Sequence, residues 1–156
     1  MVVGECLPEG ALGGLASVRI LIVDDSHPWR RAVCSILEQH VDLVVICESS
    51  DGLEAVRKSQ ELQPDLVLLD IGLPNLNGLE AARKIRQVAP GSRILFFSAY
   101  NWPELLHEAM SIGALGFVVK SEAKRDLLRA IRTVMRNEEF VGSGFSLRDP
   151  IKPLGT

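Results

Sequence analysis

The sequence predicts an α/β fold in three layers, with a five-stranded parallel sheet between helices. Apolar runs of five to eight residues alternate with helical patterns from Val18 onward. Most of these runs are continuous rather than apolar–polar alternating, as strands covered on both faces require. Five strand–helix units follow one another without internal repeats, and short parallel strands joined by helices close into a doubly wound sheet.

The first strand is "VRILIVDD" (18–25), followed by a helical pattern over 28–40. "LVVICES" (43–49) is the second, and the helix over 52–63 sets Leu53, Val56 and Leu62 against Glu54, Arg57, Lys58 and Glu61. "DLVLLD" (65–70) runs apolar residues into Asp70 and breaks into turn chemistry at Pro74, Asn77 and Gly78, where the third helix (78–88) begins. "RILFFSA" (93–99) leads to "NWPE", which offers Asn101 as a cap, Pro103 in the first turn and Glu104 three residues after the cap of a helix over 102–113. "GFVVK" (116–120) and a helix over 122–137 complete the series. The expected organisation is an N-terminal extension (1–17), one domain (18–137) and a linker-like tail (138–156).

Composition narrows the function. With 47% apolar residues, 24% charged residues and a net charge of −3, the chain gives no bulk electrostatic reason to bind nucleic acid or membranes. No apolar run approaches bilayer-spanning length, and Glu5 and Glu9 stand where a signal peptide would carry positive charge. Cys6, Cys34 and Cys47 lack metal-ligand spacing, and Cys34 and Cys47 read as small core residues of a reduced, cytoplasmic protein.

In open parallel sheets, ligands bind beyond the carboxyl ends of the strands, where the strand order reverses. The first strand ends on Asp24 and Asp25, the third on Asp70, the fourth on Ser98 and the fifth on Lys120. A flavodoxin-like order 2-1-3-4-5 makes the first and third strands neighbours and brings the three aspartates together. Converging carboxylates repel, and their oxygen-only donors suit Mg²⁺. An aspartate beside such a metal is a nucleophile towards phosphorus, with Lys120 as a point charge and Ser98 as a hydrogen-bond donor to a phosphoryl oxygen.

Plainer roles exist for each residue. Asp24 and Asp25 are also good helix caps, Asp70 a turn residue, and Phe117 a core phenylalanine. His27, His40 and His107 read as surface or helix-flanking residues. Arg125, Arg129, Arg132 and Arg136 form a basic stripe, read first as a solvated face and second as a contact with a twin subunit or an acidic partner. Trp102 is either packed locally or exposed.

Asp24-Asp25, "LLDIGLP" around Asp70, "FSA" with Ser98 and "GFVVK" with Lys120 together resemble the receiver domain of bacterial response regulators, over residues 18–137. The resemblance implies that Asp70 accepts a phosphoryl group from a sensor histidine kinase or phosphotransfer protein. It implies Mg²⁺ held by Asp24, Asp25, Asp70 and the Gly72 carbonyl, and a switch pair of Ser98 and Phe117. Gly72 and Tyr100 occupy positions that influence the acyl-phosphate lifetime, and phosphorylation-dependent homodimers are usual in the family. Such a module is a signalling protein rather than an enzyme. Ser121 departs from the proline that many receivers carry after the lysine. Together with "AIRTVMRNEEFVGSG", it points to the NarL-type subfamily, whose receivers usually precede a DNA-binding helix-turn-helix. The tail leaves no room for such a helix pair, so the expectation is either a lone receiver without nucleic-acid contacts or the front part of a transcription regulator. A phosphatase of the haloacid dehalogenase type would want an acid two residues after Asp70, where Gly72 stands. A flavin site would not tolerate Asp24 and Asp25 beside an unneutralised phosphate.

Overall fold

The computed structural model describes residues 17–145; nearly all of the expected N-terminal extension and residues 146–156 of the tail lie outside the described residues. Strands β1 (Val18–Val23), β2 (Leu43–Ser49), β3 (Leu66–Asp70), β4 (Arg93–Ser98) and β5 (Gly116–Val119) alternate with helices α1 (His27–Leu37), α2 (Gly52–Leu62), α3 (Gly78–Val88), α4 (Pro103–Ile112) and α5 (Ala123–Met135). A two-residue strand, β6 (Phe140–Val141), follows, and the parallel sheet runs β2-β1-β3-β4-β5-β6. The flavodoxin-like order is therefore as expected, with one short strand added at the β5 edge.

Side-chain alternation along the strands divides the core in two. Leu21, Val23, Val67, Leu69, Ile94, Phe96 and Phe117 pack under α2, α3 and α4. Ile20, Ile22, Leu66, Leu68, Leu95, Phe97 and Val118 pack under α1 and α5, against Val33, Leu37, Leu127 and Ile131. Because both faces are covered, β3 is buried along its whole length, which is why its sequence is continuously apolar. Cys34 and Cys47 are buried in these layers; Cys34 is a free thiol that burial pushes up to about 11, whereas Cys47 is disulfide-bonded, against the expectation that it is reduced.

The plainer role of Asp24 and Asp25 as helix caps does not hold, since the cap of α1 is Ser26, whose hydroxyl accepts from the Trp29 N–H (3.2 Å). The cap position before α4 is held by Trp102, which makes no side-chain cap bond; Asn101 stands one residue too early for it, and its amide N–H donates to the Gly144 carbonyl at 3.0 Å.

That contact belongs to a strap formed after α5. Asn137 adopts a left-handed φ of 61° and turns the chain back along β5, where the Phe140 and Gly142 N–H groups donate to the carbonyls of Leu115 and Phe117. Ser143 then donates to the fully buried Asp126 carboxylate of α5 through its N–H (2.6 Å) and its hydroxyl (3.1 Å). Phe145 meets Phe117 edge-on at 5.3 Å. Hydrogen bonds to a buried charge contribute about 1.5–3 kcal/mol. Asp126→Ala, which leaves the Ser143 donors unpaired, is expected to cost about 2 kcal/mol, read as a shift of the urea midpoint.

The basic stripe on α5 is mostly a solvated face, with Arg125, Arg129 and Arg136 exposed, and three of its members also make contacts within the chain. Arg132 forks onto Asp42, holding that carboxyl below its ordinary range. Arg129 lies over the Phe140 ring at 5.6 Å, and Arg136 reaches Glu138 at 3.5 Å.

Candidate functional site

Strand register assembles the site. Val23 pairs with Leu69, Asp70 with Phe97, and Ser98 with Val119. Asp24, Asp70, Ser98 and Lys120 consequently end four adjacent strands in one row. The carboxylates of Asp24, Asp25 and Asp70 each offer an oxygen, all within 4.8 Å of one another. Asp24 is fully buried, Asp70 is nearly so, and Asp25 faces solvent.

One ammonium answers these three carboxylates. Lys120 Nζ lies 2.5 Å from Asp24 Oδ2 and 3.6 Å from Asp70 Oδ1. Burial is the main cause that raises the Asp70 carboxyl above its ordinary range; Asp24 adds to it, Lys120 and the Gly72 N–H oppose it, and Asp25 adds a little more. A cluster of hard oxygen donors with surplus negative charge, open on the Asp25 side, fits a divalent cation such as Mg²⁺ and does not fit a thiophilic metal.

The surroundings fix this geometry. Asp24 Oδ1 accepts from the Ser26 N–H at 2.8 Å, tightening the turn into α1. The Arg30 guanidinium donates to the Asp24 carbonyl (2.6 Å) and to Glu48 (2.9 Å), tying that turn to β2. Ser98 is buried, and its hydroxyl accepts from the Tyr100 N–H at 2.9 Å. Gly72 is exposed, with open space where a side chain would stand. Tyr100 is 54% exposed and stacks on the equally exposed Trp102, ring centroids 4.4 Å apart. Phe117 stands apart from the carboxylate row. It is fully buried on the α2–α4 side, against Phe96 at 6.4 Å and under Phe145.

Of the residues singled out in the sequence, Asp24, Asp25, Asp70 and Lys120 meet in one cluster, with Ser98 on the neighbouring strand end. His27 is exposed at the start of α1 and lies outside the acidic cluster. Two participants were missed. Arg30 reads as one more charge on a helix face, and Trp29, whose ring lies 5.1 Å from Lys120 Nζ, reads as a core residue of the first turn.

The site and fold have close counterparts among known proteins. The response regulator receiver domain family matches residues 20–132. The chain is 35% identical over 122 residues to the transcriptional activator protein ExaE of Pseudomonas putida, covering 78% of this chain and 57% of that protein. It is 34% identical over 119 residues to the nitrate/nitrite response regulator protein NarL of Escherichia coli K12, covering 76% of this chain and 55% of that one. The chain thus spans little more than half the length of these relatives. A crystal structure of a two-component response regulator of the LuxR family from Aurantimonas superposes with a TM-score of 0.76 at 33% identity, over 80% of this chain and 89% of that one. Among the described residues no helix is long and apolar enough to cross a membrane. By sequence match, strand order and the acidic pocket at the strand ends, this chain belongs to the response regulator receiver domain family and carries a receiver of the NarL/LuxR type.

Proposed function

We propose that Asp70 is the phosphoacceptor of a cytoplasmic two-component pathway, taking its phosphoryl group from a phosphohistidine on a sensor kinase or phosphotransfer protein. One observation carries this reading: the Asp70 carboxylate ends the central strand among two further carboxylates, with the Lys120 ammonium 3.6 Å away. In the transfer, an Asp70 oxygen bonds to phosphorus as the phosphorus–nitrogen bond breaks, and the histidine leaves with that electron pair. Asp24, Asp25, Asp70 and the Gly72 carbonyl would hold Mg²⁺, which neutralises the charge on the transferring group. Lys120 pairs with a second phosphoryl oxygen, and the Ser98 hydroxyl exchanges the Tyr100 N–H for a third.

In this reading Ser98 and Phe117 form the switch. Drawing Ser98 towards the phosphoryl oxygens opens space beside β4, and Phe117, on the adjacent strand, repacks into it. Gly72 and Tyr100 flank the mouth of the site and control how readily water reaches the acyl phosphate. The output is a protein contact, with a phosphorylation-dependent homodimer as the first candidate. A second reading, the receiver portion of a NarL-type transcription regulator, is favoured by the 57% and 55% spans on the two relatives. It is tested by whether the gene continues into a helix-turn-helix.

The direct test is intact-mass spectrometry after incubation with Mg²⁺ and acetyl phosphate. The expected result is a phosphoryl-sized gain that hydroxylamine removes; no gain from either acetyl phosphate or a phosphohistidine donor refutes the assignment. Mg²⁺ alone is expected to raise the thermal midpoint at neutral pH. Binding at tenfold the dissociation constant stabilises by about 1.4 kcal/mol, and Asp25→Asn is expected to remove most of that gain. An equal gain in the variant would place the cation elsewhere.

A further inference from the structure

Trp29 is a large aromatic residue in the first turn of α1, and its indole Nε1 is buried with no hydrogen-bond partner. A buried indole N–H ordinarily finds an acceptor, and an orphan needs an explanation. A leucine here would avoid the orphan but offer no ring face, and of the aromatic residues an indole face attracts a cation most strongly. That face is turned to Lys120, whose Nζ lies 5.1 Å from the ring centroid. The ring is immobilised. It packs edge-on against Phe97 at 5.6 Å and 82°, one residue before Ser98 on β4. Its backbone N–H is held by Ser26, and Arg30, the next residue, grips the Asp24 carbonyl.

Lys120 also has a way out. A groove of about 540 Å³ between α1 and the start of α5 opens beside it, lined by Trp29, Ile36, Lys120, Ser121 and Lys124. Within the site the ammonium rests mainly on Asp24, 2.5 Å away. Once a cation claims the Asp24 oxygens, that hold weakens, and the lysine is free to swing into the groove and hydrate. A ring face attracts an ammonium without consuming any of its three N–H donors. It therefore retains Lys120 over the pocket while leaving those donors to re-aim.

We infer that Trp29 is a positioning residue for phosphoryl transfer: its indole face holds the Lys120 ammonium over the acidic pocket when Asp24 is occupied. The inference rests on the phosphoacceptor reading above. The test compares initial rates of phosphorylation by acetyl phosphate at saturating Mg²⁺ in the full chain. Trp29→Leu is expected to slow the reaction about 3- to 10-fold and Trp29→Phe less. In a Lys120→Met background, Trp29→Leu is expected to change the rate by less than about 1.5-fold, since the interaction is already gone. In the metal-free wild type, the Lys120 ε-methylene protons are expected upfield in the NMR spectrum, and Trp29→Leu should return them to an ordinary position. Equal slowing in both backgrounds, or no upfield shift in the wild type, overturns the inference by reducing Trp29 to packing. Should Trp29→Leu fail to fold, the milder Trp29→Phe is compared across the same two backgrounds. A wild type that takes up no phosphoryl group refutes the acceptor assignment instead, and the NMR shift then decides the Trp29–Lys120 contact by itself.

Discussion

Asp70→Asn is expected to abolish phosphorylation completely while making the metal-free protein more stable at neutral pH. The first effect follows from removing the nucleophilic oxygen. The second follows from electrostatics: burial, Asp24 and Asp25 together outweigh Lys120 and the Gly72 N–H, so Asp70 carries its charge at a cost in the folded state. The folded protein therefore binds this proton more tightly than the unfolded chain does. The contribution of Asp70 to stability is fully present below its unfolded pKa and is lost as pH rises through the raised folded value. An amide keeps the shape and never ionises. Thermal melts of wild type and variant should thus converge in acid and separate towards pH 7, with the variant higher. Adding Mg²⁺ should narrow or reverse that gap, because the cation stabilises the wild-type cluster most. A variant that is less stable at every pH would show that Asp70 serves the fold rather than the pocket.

Gly78→Ala is expected to destabilise by about 3 kcal/mol, the upper end of ordinary overpacking. Alanine is the better helix former by about 1 kcal/mol, so propensity alone predicts the opposite sign. Space decides it. A Cβ on Gly78 would stand 2.0 Å from the Asp70 carbonyl oxygen and 2.6 Å from Ile71 Cα. Both neighbours are backbone, so neither can rotate away. Relief requires α3 to lift from the end of β3, breaking the Gly78 N–H bond to the Ile71 carbonyl (2.8 Å) and moving Asp70 with it. Urea unfolding should show the loss of stability, and a Mg²⁺ titration should show weakened affinity in the same variant. Gly91→Ala, with open space around the added carbon, is the matched control and should be close to neutral. A neutral Gly78→Ala would mean that the approach of α3 to the acidic strand end is slack.

Much of this was legible in the chain itself, for identifiable reasons. Strands covered on both faces must be continuously apolar, so Val67, Leu68 and Leu69 announce β3 without any neighbour being known. A doubly wound order then fixes which strand ends meet, and Asp24, Asp70, Ser98 and Lys120 fall into a row. Contacts that no periodicity encodes were not legible. Trp29 touches Lys120 only because α1 packs beside the end of β5. Asp126 sits among the charged residues of α5, where no sequence signal marks it as buried, yet it is fully buried with Ser143 returning to satisfy it. Asn101 has good capping chemistry, yet α4 begins one residue later than that cap requires. β6 is two residues between Glu138-Glu139 and glycines, and it becomes a strand only because the β5 edge offers it partners.

That short strand also bears on how copies of this protein coexist in solution. A parallel sheet that stopped at β5 would present its open row of donors and acceptors to any extended segment, the template from which edge-to-edge aggregates grow. β6 occupies that row opposite Gly116 and Phe117, and at two residues it is too short to offer a new template of its own. Immediately beyond it the chain leaves the sheet plane, pinned by Ser143 to Asp126. On this side the sheet therefore ends in a stub that discourages recruitment of a foreign strand, which leaves β2 as the long edge among the described residues.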